Sequence, residues 1–141
     1  LFRSVELLRF TEHGACVAYL ADALKELAAS EPLASVAVLT PSRELSALYA
    51  KSLADGEVPR VRQVEHQDFR FTPGIEVTEI EQVKGLEFDY VICVEVSTAQ
   101  FPDTPSARRR LHVGATRAVH QLWLTTVGPP SLLVRDLIAA A

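Results

Sequence analysis

Gln82-Val83-Lys84-Gly85-Leu86-Glu87-Phe88-Asp89 runs directly into the apolar stretch Tyr90-Val91-Ile92-Cys93-Val94. Five apolar residues in a row, behind a glycine turn, predict a strand buried on both faces, as in parallel sheets covered by helices. Val36-Ala37-Val38-Leu39 has the same character. Around these runs lie helical periodicities. Between Gly14 and Ala29 the residues Val17, Leu20, Leu24, Leu27 and Ala28 recur at helical spacing, with Lys25 and Glu26 outside. Ser42 is the expected N-cap of a helix carrying Leu45, Leu48, Tyr49 and Leu53 and ending at Asp55-Gly56. A third helix, from about Ser106 to Ala118, places Ala107, Leu111, Gly114, Ala115 and Ala118 on one face. Shorter strands are expected at 5–10, 61–64, 75–78 and 121–126, and a terminal helix from Ser131 to Ala141. The polar loop from Glu65 to Gly74 turns Phe69 and Phe71 inward. Alternating strands and helices give an α/β layer fold with a mainly parallel sheet. Ligands of such folds meet the carboxyl ends of strands, so the loops after Leu39, Thr78, Val94 and Thr126 are the first places to look.

Length and composition set bounds on this reading. At 141 residues the chain is long enough for one domain with its own core, and 48% apolar with 23% charged residues is the composition of a globular protein. The apolar runs are strand-sized, so no membrane-spanning helix is expected. A net charge of −4 leaves no global basic field for non-specific nucleic-acid binding, so any such contact must be local or shared with another domain. Cys16 and Cys93 do not make a disulfide framework and read as small buried residues of a cytosolic (cytoplasmic) protein. His13, His66, His112 and His120 lack zinc-ligand spacing. Met is absent and the chain begins at Leu1, which is expected of a fragment, residues 1–141 forming a single lobe of a larger protein.

The chemistry concentrates in two places. Lys84-Gly85-Leu86-Glu87-Phe88 opens a buried strand: Gly85 permits a tight backbone near a ligand, Glu87 can accept from hydroxyls, and Leu86 and Phe88 anchor the loop. On its own this segment reads first as an unremarkable turn with a solvated ion pair. About twenty residues on comes Arg110-Leu111-His112-Val113-Gly114-Ala115-Thr116-Arg117-Ala118. Arg117 stands at a helix end just before a strand, where a planar, permanently charged guanidinium matches a phosphate. The plain alternative is an arginine favoured at a helix C-terminus by the macrodipole. No Gly-x-x-x-x-Gly-Lys-[Ser/Thr] loop is present, so the chain cannot cradle a triphosphate by a P-loop of its own.

Together these two segments, in this order, resemble motifs V and VI of the UvrD-like superfamily 1 helicases. The resemblance covers roughly Val36 to Thr126. It implies a RecA-like three-layer sandwich, the C-terminal lobe of an ATP-dependent DNA helicase, an ATP hydrolase only as part of the full-length protein. ATP with Mg2+ would be held mainly by a missing N-terminal RecA-like lobe. Arg117 would be the arginine finger; Lys84, Gly85 and Glu87 would meet the nucleotide's sugar and phosphates; single-stranded DNA would be the track. With only about thirty residues between motifs IV and V, the large insertion domain found in UvrD and Rep is absent.

Departures from the pattern bear on this. The family usually carries Thr and His five and three positions before the motif V lysine to grip DNA; Glu79 and Glu81 stand there, and acidic groups facing a phosphate backbone are unfavourable. At motif IV, Thr40 and Pro41 occupy the positions of an aromatic and an arginine. Arg43, two positions late, either substitutes or stands exposed on the first helical turn. The Arg108-Arg109-Arg110 run either faces DNA or is the solvated face leading into the motif VI helix, and the second reading is preferred. The alternative from another class is a non-catalytic RecA-like module retained for protein or nucleic-acid binding.

Overall fold

The structure, a computed structural model, describes residues 4–70 and 72–139. Phe71 and the last two residues of the expected terminal helix therefore lie outside the described residues. The strands are β1 (Ser4–Phe10), β2 (Ser35–Thr40), β3 (Val61–Gln63), β4 (Gly74–Glu79), β5 (Phe88–Cys93) and β6 (Ala118–Val127). The helices are α1 (His13–Ser30), α2 (Arg43–Asp55), α3 (Pro105–Ala115) and the short α4 (Val134–Ala139), with a 3₁₀ turn at Ile80–Val83.

Every strand pairing in the sheet is parallel, in the order β1-β6-β5-β2-β4-β3. All six strands therefore share one amino edge and one carboxyl edge. The continuous apolar runs explain the layering, because alternate residues of one strand enter opposite cores. Val36 and Val38 of β2, with Tyr90 and Ile92 of β5, pack against Leu20 and Leu24 of α1 and Tyr49 and Leu53 of α2. Ala37 and Leu39, with Val91 and Cys93, pack on the other side against Leu111 and Ala115 of α3 and Leu137 of α4. This is the three-layer α/β sandwich expected of a RecA-like lobe.

Two local expectations are corrected. Leu48, one of the apolar residues that mark α2 in the sequence, is 44% exposed, while Ser46 is buried. The exchange follows from a polar contact: the Ser46 hydroxyl meets that of Thr40 at 2.6 Å, which draws this face of the helix against the end of β2. Ser42 caps α2 as expected, its hydroxyl accepting from the Leu45 amide at 3.2 Å. The second correction is the end of α3. The helix stops at Ala115: the Thr116 hydroxyl donates back to the carbonyl of His112 at 2.8 Å, and Arg117 turns into the strand. Ala118 thus opens β6, and the strand begins three residues before Gln121. Cys16 and Cys93 are both buried, as expected of small core residues.

Candidate functional site

β5 begins at Phe88 and β6 at Ala118, and the two residues pair in register. Lys84 to Glu87 and Arg117 precede these strands, so they meet at the amino edge of the sheet rather than at the carboxyl-edge loops expected from the sequence. The topology supplies the reason. The connection from β4 to β5 is only the 3₁₀ turn and a short loop, and that loop delivers Lys84 to Glu87 to the edge where β5 starts. Gly85 has φ +83, and a Cβ built on it would meet nothing within 4 Å. Its glycine is demanded by backbone conformation, and the space over it is open to a ligand.

Main-chain bonds fix the arginine. The Phe88 amide donates to the Arg117 carbonyl at 2.9 Å, and the Arg117 amide donates to the Gly114 carbonyl at 3.1 Å. The side chain is half-buried. Its Nη2 donates to the Thr116 hydroxyl at 3.1 Å, while its Nε is buried with no hydrogen-bond partner among the described residues. Arg43, Arg62, Arg108 and Arg110 each face a carboxylate; Arg117 has no such ion pair among the described residues. Lys84 and Glu87 are exposed and likewise take part in no ion pair there. A cationic fork with a spare donor, a lysine and a carboxylate thus stand at one edge.

A cavity of about 390 Å³ opens beside the Gly85–Phe88 segment, and neither Arg117 nor Lys84 lines it. Gly85, Leu86 and Glu87 form one wall, with Phe69, Leu33 and Glu76 opposite. Glu76 is buried and faces Arg62 Nε at 3.3 Å. Burial pushes its carboxyl pKa up, against the pull of Arg62.

Arg43 does not join this group. It follows β2 at the carboxyl edge, on the first turn of α2, and makes a two-pronged pair with Glu65 (Nε to Oε1 2.9 Å, Nη2 to Oε2 3.0 Å). The six-residue strand β2 separates it from Gly85 and Arg117, roughly 17–20 Å at strand rise. The arginine run is also less uniform than expected. Arg109 is exposed, Arg108 pairs with Asp103 and Asp136, and Arg110 turns inward to Glu81 and the Pro41 carbonyl. Helical periodicity holds the missed signal, since Arg110 is three residues from Ala107 and four from Gly114, both on the buried face.

At the carboxyl edge a second polar cluster joins α1 and α2 to the end of β5. His13 Nε2 lies 2.9 Å from Glu95, and His13 Nδ1 lies 3.0 Å from the Tyr49 hydroxyl. Among the described residues no group of carboxylates, histidines and cysteines could hold a metal ion, and no helix is long and apolar enough to cross a membrane.

Residues 74–125 match the family model of the UvrD-like helicase C-terminal domain, a span from β4 through most of β6 that contains Lys84 to Glu87 and Arg117. The C-terminal domain of a possible DNA helicase from Lactobacillus plantarum WCFS1 is similar at 27% identity and a TM-score of 0.75, over 98% of this chain and 81% of that one. The UvsW helicase from bacteriophage T4 is similar in fold, with a TM-score of 0.57 at 10% identity, over 87% of this chain and 46% of that one. No curated protein matches the chain in sequence. Joined to the all-parallel sheet that carries the matched segment, these likenesses make the chain similar to the C-terminal RecA-like lobe of the UvrD-like helicases.

Proposed function

We propose that this lobe closes on ATP bound by an N-terminal RecA-like lobe of the same protein, in a motor that moves along single-stranded DNA. The observation that carries the reading is the Arg117 guanidinium: half-buried and, among the described residues, without a carboxylate partner or an acceptor for its buried Nε. Leaving such a donor unsatisfied costs about 1–3 kcal/mol or more, a cost that an incoming phosphate oxygen relieves. In this reading Arg117 is the arginine finger, meeting charge that develops on the γ-phosphoryl oxygens. Lys84 faces the phosphates, Glu87 accepts from ribose hydroxyls, and Gly85 lets the backbone come close.

The residues present fit one side of a nucleotide. They offer a cationic fork, a lysine and a hydroxyl acceptor, but no P-loop and no carboxylate group suited to Mg2+ among the described residues. The phosphate cradle and Mg2+ are therefore assigned to the other lobe. Mg2+ when bound there neutralises phosphate charge; the part of this chain is to orient and to add Arg117. Arg43, engaged by Glu65 at the opposite edge, is left out of the nucleotide site in this reading.

The same Arg43–Glu65 pair, together with Thr40 and Pro41 at the motif IV positions, favours a second reading: a RecA-like module kept for binding after loss of nucleotide chemistry. ATP turnover of the full-length protein carrying Arg117→Ala separates the two. Near-complete loss supports the motor. Turnover within a few-fold of wild type would make Arg117 a helix-end arginine and move the module reading ahead.

A further inference from the structure

Arg110 is multiply engaged outside the amino-edge site. Its guanidinium forms an ion pair with Glu81 of the 3₁₀ turn, Nη2 reaching Oε1 at 3.3 Å and Nε bonding Oε2. Nη2 also donates to the Pro41 carbonyl in the turn between β2 and α2. The carbon of the fork lies 5.3 Å from the centre of the Phe101 ring, and Phe101 is itself fully buried. One side chain therefore ties α3 to three separate segments, two of them turns at the carboxyl edge.

The rest of α3 converts that tie into a position for Arg117. One turn beyond Arg110, Gly114 lies so close to Ile80 that a Cβ on it would fall 2.5 Å from Ile80 Cγ1 and 3.0 Å from Leu39 Cδ1. Helix and 3₁₀ turn thus touch without room for a methyl group. From Gly114 the Arg117 amide is held at 3.1 Å, and the Arg117 carbonyl is fixed to Phe88. No flexible linker interrupts the path from Arg110 to the arginine at the amino edge.

We propose that Arg110 is a positioning residue for the motor reaction: its tie to Glu81 and Pro41 sets how α3 lies on the 3₁₀ turn, and so where the Arg117 guanidinium points. The inference rests on the reading of Arg117 given above. It also accounts for Glu81 at a position where the helicase pattern has a histidine. The carboxylate is the partner that holds Arg110 in place, and its charge is spent inside the protein rather than offered to a polynucleotide.

The test uses the full-length protein with single-stranded DNA and measures kcat, the KM for ATP, and nucleotide affinity. Glu81→Gln, an isosteric change at a half-exposed side chain, should lower kcat about tenfold with KM within twofold. Arg110→Gln should do the same, and the double variant should be no worse than either single one, because both remove one interaction. Arg110→Lys, which keeps the charge but not the fork, should fall between. A lowered melting temperature with wild-type kcat in Glu81→Gln and Arg110→Gln would reduce the pair to a structural bridge and overturn the proposal. Arg117→Ala serves as the reference. If it abolishes turnover while the Arg110 and Glu81 variants keep theirs, this inference alone fails; if it leaves turnover intact, the reading of the site fails first.

Discussion

The amide of Phe88 donates to the carbonyl of Arg117 across 2.9 Å, and that bond joins the two signature segments at the backbone. Phe88 closes the loop that presents Gly85 and Glu87; Arg117 closes the turn after α3. Parallel strands make the meeting unavoidable, since neighbouring strands that run the same way must begin at the same edge. The bond couples the loop to the arginine, which suits the proposed closure on a nucleotide.

In the full-length protein, Arg117→Ala should reduce ATP turnover by about 10³-fold or more while nucleotide affinity falls far less. In the proposed role the guanidinium would meet charge that appears only as the γ-phosphoryl group departs, so its contribution would lie mainly in the transition state. Arg117→Lys should recover little, because an ammonium on a flexible stem cannot reproduce the planar fork. Steady-state turnover with DNA present, set beside nucleotide affinity and melting temperature, checks this.

The chain of 141 residues should bind ATP and Mg2+ only weakly, with a Kd above roughly 100 μM. Its half of the site lacks the phosphate loop and any described carboxylate group for the metal. Isothermal calorimetry is the measurement. A dissociation constant in the low micromolar range would mean that this lobe holds a complete site.

Two glycines should fail for different reasons when changed to alanine. At Gly114 the new methyl would collide with Ile80 and Leu39, both fully buried, so overpacking of about 1–3 kcal/mol should outweigh a helix-propensity gain of about 1. Ile80→Val, which removes the Cδ1 lying 2.6 Å from that methyl, should return part of the loss. At Gly85 the methyl meets nothing, but φ +83 costs an alanine about 1–2 kcal/mol. There Gly85→Asn should be milder, since asparagine tolerates the left-handed region. Denaturant unfolding of the four variants distinguishes steric from conformational loss.

Stability should decline at alkaline pH. The Tyr90 hydroxyl donates to Glu31 at 2.5 Å, and this bond, with burial, pushes its pKa up to about 12, from about 10 in the unfolded chain. The folded state holds that proton more tightly, so the contribution is complete below about pH 10 and is lost as pH rises toward 12. Tyr49, whose pKa burial also raises, loses stability from the same lower limit. Tyr90→Phe should therefore make the decline shallower over pH 10–12 without abolishing it, as melting temperatures across that range would show.

Much of the architecture is legible in local pattern alone. The runs Val36–Leu39 and Tyr90–Val94 specify buried parallel strands because each residue, whichever face it takes, enters an apolar layer. The stripes of α1 and α3 follow from the helical period, and Ser42 marks the start of α2 because a hydroxyl there satisfies an orphan amide. The lysine–glycine–glutamate loop and Arg117 are also plain as residue types. What only the tertiary structure decides is which residues share an edge. Gly85 and Arg117, far apart in sequence, are joined because β5 and β6 are neighbours in register, whereas Arg43 is carried to the far edge by the strand before it. Likewise Arg110, in a run of three arginines, faces inward through partners from distant turns. Side-chain periodicity is a property of a single segment, but the choice of partner depends on strand order and on the charges other segments bring, and no local pattern records either.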